Sequence, residues 1–375
     1  MTDQLPPPPP SSPPPPPQRA TRASLPLPQM PARDGKSVSF YLAIFLALLL
    51  FVSGGLNLLL LFFSAIGSTA GGLSSYSDES DAGYEIVTVG GDRGADDQLL
   101  LVPIQGAISE APSALLGAGG GTVSQVRRAL RLAARDDSIK GVLFDINSPG
   151  GGVTASEELH RLISEFRADT DKPVLALFGD VAASGGYYMA VACDEIMARR
   201  TTITGSIGVI MQSYNFTEAA KKLGITQETI ISESTPFKDI MSMTRPMRDE
   251  ERAILTSIVD EMYERFVTVV DEGRPSLSRE RVGKLADGRI YSASQAREVG
   301  LVDRIGSIDD AYDRLAGMCS VDQAVVVQQR RLPTLADVLF GASAKSPVPS
   351  WEQAVSQLVS SVSAPRFLYY WAGAR

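Results

Sequence analysis

The 375-residue chain holds one histidine, His160, which leaves little imidazole chemistry to draw on. Two other residues draw attention by type and setting. Ser184 lies in the run Val181-Ala-Ala-Ser-Gly-Gly186, and Lys238 lies in Pro236-Phe-Lys-Asp239. A hydroxyl nucleophile must lose its proton, and where no imidazole is at hand a lysine kept neutral by its surroundings is the established substitute. Ser184 sits where a strand should pass into an apolar helix. Its oxygen would be exposed beside the free N–H groups of a helix N-terminus, which favour developing negative charge. Serine is also a preferred helix cap, and on local sequence alone the cap is the simpler account.

Pro149-Gly-Gly-Gly152 offers a second set of free N–H groups at a strand end, because glycine reaches the positive φ that forms an anion-binding nest. One donor from each glycine turn would make an oxyanion hole, in which a single donor is worth roughly 3 to 4 kcal/mol. A tight turn without function fits the same residues. Lys238 is one of 35 basic residues. With an ordinary pKa near 10.4, its neutral form costs about 4.6 kcal/mol at pH 7, so a basic role requires apolar burial and an orienting hydroxyl. Phe237, Ile240 and Met241 supply apolar neighbours, whereas Asp239 would hold the lysine charged. His160 falls mid-helix, away from any strand end, and reads as an exposed or partly buried helix residue.

These residues need a scaffold. Leu99 to Ile104 reads as a strand and residues 122–135 as an amphipathic helix; 140–146 is a buried strand that ends in the glycine turn. Thr154 and Glu157 have the spacing of a capping box, followed by the apolar face of Leu159, Leu162, Ile163 and Phe166. Residues 173–178 form a further strand leading to Ser184, 249–273 a long amphipathic helix, and 307–318 another helix. The alternation predicts right-handed crossovers and a mostly parallel α/β sheet, whose sites form at the carboxyl ends of its strands.

The whole chain is 44% hydrophobic and 21% charged, with a net charge of −8. It has the apolar content for a sizeable core, and its acidity argues against nucleic acid as a partner. Cys193 and Cys319 are too few for a disulfide framework and read as two unpaired thiols in preference to a single disulfide; with one histidine they leave no zinc ligand set, and no cofactor is expected. Residues 1–37 contain two proline runs and four basic residues, the composition of a disordered cytoplasmic tail. Residues 38–66 hold no charge, and 29 positions at 1.5 Å each exceed the ~30 Å hydrocarbon core. One transmembrane signal anchor is expected there. Basic residues precede it and acidic ones follow, which places the N-terminus in the cytoplasm and the rest outside the cytoplasmic membrane. Residues 67–98 read as a flexible linker, 99–318 as the chemical domain, and 319–375 as a tail with short helices at most. The tail's aromatic run Phe367-Leu-Tyr-Tyr-Trp371 would touch a partner, the membrane interface or, most simply, the body of the protein.

Four stretches in order resemble the signal peptide peptidase A family, membrane-anchored Ser/Lys proteases. They are Asn147-Ser-Pro-Gly-Gly-Gly152, Asp180-Val-Ala-Ala-Ser-Gly-Gly-Tyr-Tyr-Met-Ala190, Thr204-Gly-Ser-Ile-Gly-Val209 and Phe237-Lys-Asp-Ile-Met-Ser242. The resemblance spans residues 99–318 and is to the short, single-repeat form. It implies a Clp protease/crotonase-like fold of repeated ββα units. It implies Ser184 as nucleophile, Lys238 as general base, Ser206 as the hydroxyl that positions the lysine, and the backbone N–H groups of Gly151 and Gly185 as oxyanion donors. It further implies homo-oligomeric rings or domes, and substrates that are remnant signal peptides or other apolar, unfolded peptides in the periplasmic or extracytoplasmic space. Two alternatives are weighed: a catalytically silent scaffold binding peptides or membrane proteins, and a crotonase-type acyl-CoA enzyme, which the expected topology disfavours.

Overall fold

The computed structural model describes residues 45–51, 53–54, 83–110, 121–332 and 366–371. The chain divides into two compact units, Met1–Asp78 and Glu79–Arg375. In the first, residues 45–51 and 53–54 are helical in backbone. Among the described residues no helix is long and apolar enough to cross a membrane. Most of the expected span over 38–66, the proline-rich leader and the short helix foreseen within 351–362 lie outside the described residues.

The second unit is an α/β structure on a nine-stranded, mostly parallel sheet. In chain order its strands are β1 (Tyr84–Gly91), β2 (Gln98–Gln105), β3 (Ile139–Ser148), β5 (Val174–Ala183), β6 (Glu195–Ala198), β7 (Ile203–Gly205), β9 (Ile290–Ser292), β10 (Arg304–Ile305) and β11 (Val325–Arg331). Their spatial order is β1-β11-β2-β3-β5-β6-β10, with β7 extending β5 and pairing β9. Pairs β2/β3, β3/β5, β5/β6, β5/β7 and β11/β2 are parallel.

Strand alternation divides the core in two. Leu100, Val102, Ile104, Val142, Phe144, Ile146, Ala176 and Phe178 face one side and pack with Val126, Leu130, Leu159 and Ile163. Those partners come from α1 (Thr122–Arg135) and α2 (Val153–Thr170). Leu99, Leu143, Leu175, Leu177 and Met197 face the other side, under Ala311 and Leu315 of α8 (Ile308–Met318). Both faces being covered explains why these strands read as continuous apolar runs.

A second sheet of three short strands orders β4 (Gly150–Gly152), β12 (Arg366–Tyr370) and β8 (Ile210–Gln212). Three expectations change here. Residues 84–91, read as linker, form β1, paired antiparallel with β11. Residues 325–331 and 366–370, read as tail, form β11 in the main sheet and β12. Helix α2 begins at Val153 with Gly152 as N-cap and no side-chain cap, so Thr154 and Glu157 make no capping box. Glu157 instead accepts hydrogen bonds from the Tyr188 hydroxyl and from Arg265. Cys193 and Cys319 are free thiols; burial pushes that of Cys319 up to about 11.

Candidate active site

The site grows from the ends of two neighbouring strands. β5 and β7 pair in the register Val181↔Ile203, Ala182↔Thr204, Ala183↔Gly205, and one further step along each arrives at Ser184 and Ser206. The Ser184 N–H donates to the Gly205 carbonyl at 2.8 Å, and the Ser206 N–H to the Arg289 carbonyl at 2.8 Å. Both serines leave their strands at positive φ, 52° and 51°. That backbone costs about 1 to 3 kcal/mol at a non-glycine residue and persists only where the surroundings enforce it. Ser184 then caps α3 (Gly185–Ala190), yet its side chain makes no capping bond. It is 1% exposed, and its Oγ is one of the few buried side-chain oxygens without a hydrogen-bond partner among the described residues. A cap would have used that oxygen.

The glycine turn approaches Ser184 from β3. The Ile108 N–H donates to the Gly150 carbonyl at 2.9 Å, and the Gly152 N–H to the Ile108 carbonyl at 3.0 Å. Gly150 and Gly152 thus spend their bonds on one edge, and Gly151 is left facing the other. A Cβ on Gly185 would lie 3.1 Å from the Gly151 nitrogen and 2.4 Å from Ser156 Oγ; one on Gly150 would lie 2.7 Å from the Gly185 nitrogen. The Gly151 nitrogen therefore lies close to Gly185, and the Gly185 nitrogen close to Gly150, in a space that admits no side chain.

Lys238 is placed differently. It is exposed, in a turned segment where its N–H donates to the Thr235 carbonyl at 3.0 Å, and no side-chain bond joins it to Ser184 or Ser206. The apolar burial expected of a neutral lysine is not present in the single chain. Asp239, its sequence neighbour, is engaged elsewhere: Arg245 Nε donates to Asp239 Oδ2 at 2.7 Å, and Arg248 lies 3.6 Å from Oδ1. Both arginines also hold Glu251, whose side chain is fully buried at the start of α5 (Asp249–Gly273). Their guanidinium hydrogen bonds hold the Glu251 carboxyl far below the ordinary range. Asp239 is thus committed to Arg245 and Arg248.

His160 sits in α2, partly buried, edge-on to the Tyr188 ring at 5.6 Å. Burial lowers its pKa, against the opposite pull of Glu157. One residue near the site was not singled out from sequence: Tyr369. It is 1% exposed and pairs with Gly151. The aromatic run around it carried the signal, but nothing in the local pattern says which strand it joins. No group of histidine, cysteine, aspartate or glutamate able to hold a metal occurs among the described residues.

The sequence profile of Peptidase family S49 matches residues 167–322, a stretch that includes Ser184, Gly185, Ser206 and Lys238. A Synechocystis sp. protein provisionally named a protease is 40% identical over 202 residues, 54% of this chain and 71% of that protein. The chain belongs to peptidase family S49. An Enterococcus faecium relative provisionally named signal peptide peptidase SppA is also 40% identical, over 201 residues. That alignment takes in 54% of this chain, which spans 57% of the Enterococcus protein's length. Among solved structures, a ClpP1 variant from Listeria monocytogenes matches with a TM-score of 0.36 and 20% identity, over 56% of this chain and 92% of that one. Gly151 lies outside the stretch that the S49 profile matches, so its place in the site rests on the contacts above.

Proposed function

We propose that this S49 chain is a serine endopeptidase that cuts extended, apolar peptides through an acyl-enzyme on Ser184. The observation that carries the reading is the Ser184 side chain: buried, on a strained backbone, unpartnered at Oγ, and next to Gly185, which packs closely on Gly151. Buried polar atoms without partners are rare and call for a reason, and a nucleophile awaiting its base supplies one. In the reaction, neutral Lys238 takes the Ser184 proton while Oγ attacks the peptide carbonyl. The Gly151 and Gly185 N–H groups hold the oxyanion. The Lys238 ammonium protonates the departing amine; the lysine, neutral again, deprotonates a water that attacks the acyl carbon, and returns that proton to Ser184 Oγ as the acid leaves. Ser206 orients Lys238.

Lys238 must then lose solvent. Its sequence neighbour Phe237 is 40% exposed, and Leu223, Ile225 and Ile230 earlier in the chain are 74%, 59% and 98% exposed; a ring or dome of copies that covered Lys238 along with them would desolvate the amine. The uncharged run 38–66, with basic residues before it and acidic ones after, supports anchoring in the cytoplasmic membrane with the site on the extracytoplasmic side. Remnant signal peptides fit as substrates, because they are apolar and presented at that surface.

Intact mass after treatment with a fluorophosphonate tests the reading on the full chain. A single adduct on wild type, none on Ser184→Ala and a strongly slowed reaction in Lys238→Ala are expected. A folded, oligomeric wild type that forms no adduct would favour a silent peptide-binding scaffold.

A further inference from the structure

Strands β2 and β11 pair in parallel only as far as Leu101 opposite Gln328. Beyond that pair β11 continues to Arg331 and β2 to Gln105, and Pro103, which has no N–H to add to a ladder, follows almost at once. A cavity of about 210 Å³ opens there, toward the carboxyl ends of two parallel strands, where sheets of this class take ligands. Gln125, Arg128 and Ala129 of α1 line it, as does Tyr84, the first residue of β1. It shares no residue with the Ser184 site.

Arg128 is the polar centre of this cavity. It is 8% exposed, its guanidinium has no hydrogen bond or ion pair among the described residues, and its Nε is enclosed without a partner. The Tyr84 ring covers one face, with Cζ 3.9 Å from the ring centroid. Such stacking occupies the flat of a guanidinium and leaves its in-plane N–H donors unspent. An arginine answers burial with a partner, because it does not give up its proton as a lysine can. The preceding residue obeys this, with Arg127 paired to Glu158. Among the described residues no aspartate or glutamate lines the cavity, so none of them supplies the counter-ion of Arg128. Arg331, exposed and opposite Tyr84 in the β1/β11 ladder, adds a second cation at the mouth.

The remaining lining sets the class of ligand. Leu100, Val102 and Ala129 are buried apolar side chains. Gln125 is already engaged, its Nε2 donating to the Pro103 carbonyl at 2.8 Å. A phosphate has more oxygens to satisfy than these donors serve, whereas a planar carboxylate takes two parallel N–H bonds from the guanidinium fork and lays an apolar body on the aliphatic wall. We infer that Arg128 and Arg331 form a binding site for a small carboxylate with an apolar body, which is either a free branched-chain acid or the C-terminal end of a short peptide. The site does not depend on the peptidase reading.

Calorimetry on the full chain tests this with isovalerate, N-acetyl-leucine, the neutral isovaleramide and inorganic phosphate, all at one ionic strength. Both acids should bind, and isovaleramide and phosphate at least tenfold more weakly. Tighter binding of N-acetyl-leucine identifies a chain end as the source and tighter binding of isovalerate a free acid; equal affinity shows that only the carboxylate and its branched chain are read. Arg128→Met should lose at least tenfold in affinity for the acids, yet without ligand it should unfold in urea at or above the wild-type midpoint, because a buried unpaired charge has gone. Saturating acid should raise the wild-type midpoint and leave that of Arg128→Met in place. Should Arg128→Met not fold, Arg128→Lys decides: it keeps the charge without the fork, and about tenfold weaker binding is expected. Arg331→Gln should weaken binding severalfold and reduce its dependence on salt. Acid binding that is absent from folded wild type, matched by isovaleramide, surpassed by phosphate or unchanged in the Arg128 variants overturns the inference.

Discussion

At Ser184 the requirements of folding and of chemistry oppose each other, because an L-residue at φ 52° with a buried, unbonded hydroxyl destabilises the structure that holds it. Removing the hydroxyl should therefore cost no stability. Ser184→Ala is expected to unfold in urea at or above the wild-type midpoint while its activity is lost. Ser184→Gly, which also relieves the backbone, should exceed Ser184→Ala by about 1 kcal/mol, a few degrees in Tm. A midpoint for Ser184→Ala well below wild type would show that the hydroxyl has a structural partner. Gly185→Ala sets a methyl 2.4 Å from Ser156 Oγ and 3.1 Å from the Gly151 nitrogen. Its activity should fall by roughly 10² to 10³, the value of one lost oxyanion donor, and adding Ser156→Gly should recover thermal stability without recovering turnover. His160 titrates in the opposite sense from a salt-bridged histidine. Burial lowers its folded pKa below the ordinary 6.5, so as the pH falls through 6.5 the unfolded chain binds the proton first. Stability attributable to His160 is complete above that pH and declines below it, by at most about 1.4 kcal/mol per pH unit. Urea midpoints at pH 7.5 and 5.5 should converge in His160→Gln relative to wild type; an unchanged difference would remove this account.

Among the elements, α5 is the one that ties the Lys238 segment to the body. Glu251 in its first turn accepts from the Arg248 N–H at 2.9 Å and from the Arg245 Nη1 at 2.8 Å, and Arg248 in turn donates to the Pro236 carbonyl at 2.6 Å. The fully buried carboxylate thus organises residues on both sides of Lys238. Glu251→Ala leaves Arg245 and Arg248, whose side chains are 28% and 41% exposed, with Asp239 as their remaining carboxylate, and the lost charged hydrogen bonds cost about 1.5 to 3 kcal/mol. Lower urea stability is expected together with new trypsin cleavage within 236–248, while fluorophosphonate labelling slows because Lys238 is no longer held. Cleavage unchanged from wild type would mean that other contacts fix the segment. Helix limits were the most legible elements: 122–135 and 249–273 were readable from apolar spacing alone, and the structure gives Thr122–Arg135 and Asp249–Gly273. The Thr154/Glu157 box failed because Glu157 is drawn across the helix to Tyr188 and Arg265, partners far away in sequence.

For the molecule as a whole, the parallel sheet explains the placement of the site. Parallel strands end together, so the turns after β3, β5 and β7 bring Gly151, Ser184, Gly185 and Ser206 to one rim although they span 56 positions of sequence. Lys238 is not carried by a sheet strand, and it stays exposed in the single chain. Closing the site by assembly predicts a native mass that is a multiple of 40.0 kDa. Ile230→Lys, at a position 98% exposed in the single chain, should lower that mass and the labelling rate of Ser184 together. A monomeric, fully reactive wild type would place the source of desolvation within the chain.

The residues themselves specified the α/β class, the mostly parallel sheet and the two glycine turns, because apolar period, glycine and proline act over a few neighbours; periodicity does not select Lys238, and its role and that of Ser184 came from the family resemblance. They did not specify the pairing of β1 with β11, nor the insertion of β12 between β4 and β8. Strand partners far apart in sequence leave no mark on local periodicity, and an aromatic run such as Phe367 to Trp371 satisfies many edges equally well until one slot offers main-chain bonds on both sides. Burial of Ser184 Oγ and exposure of Lys238 were likewise settled in three dimensions, since the environment of a side chain depends on segments that its own sequence neighbours do not name.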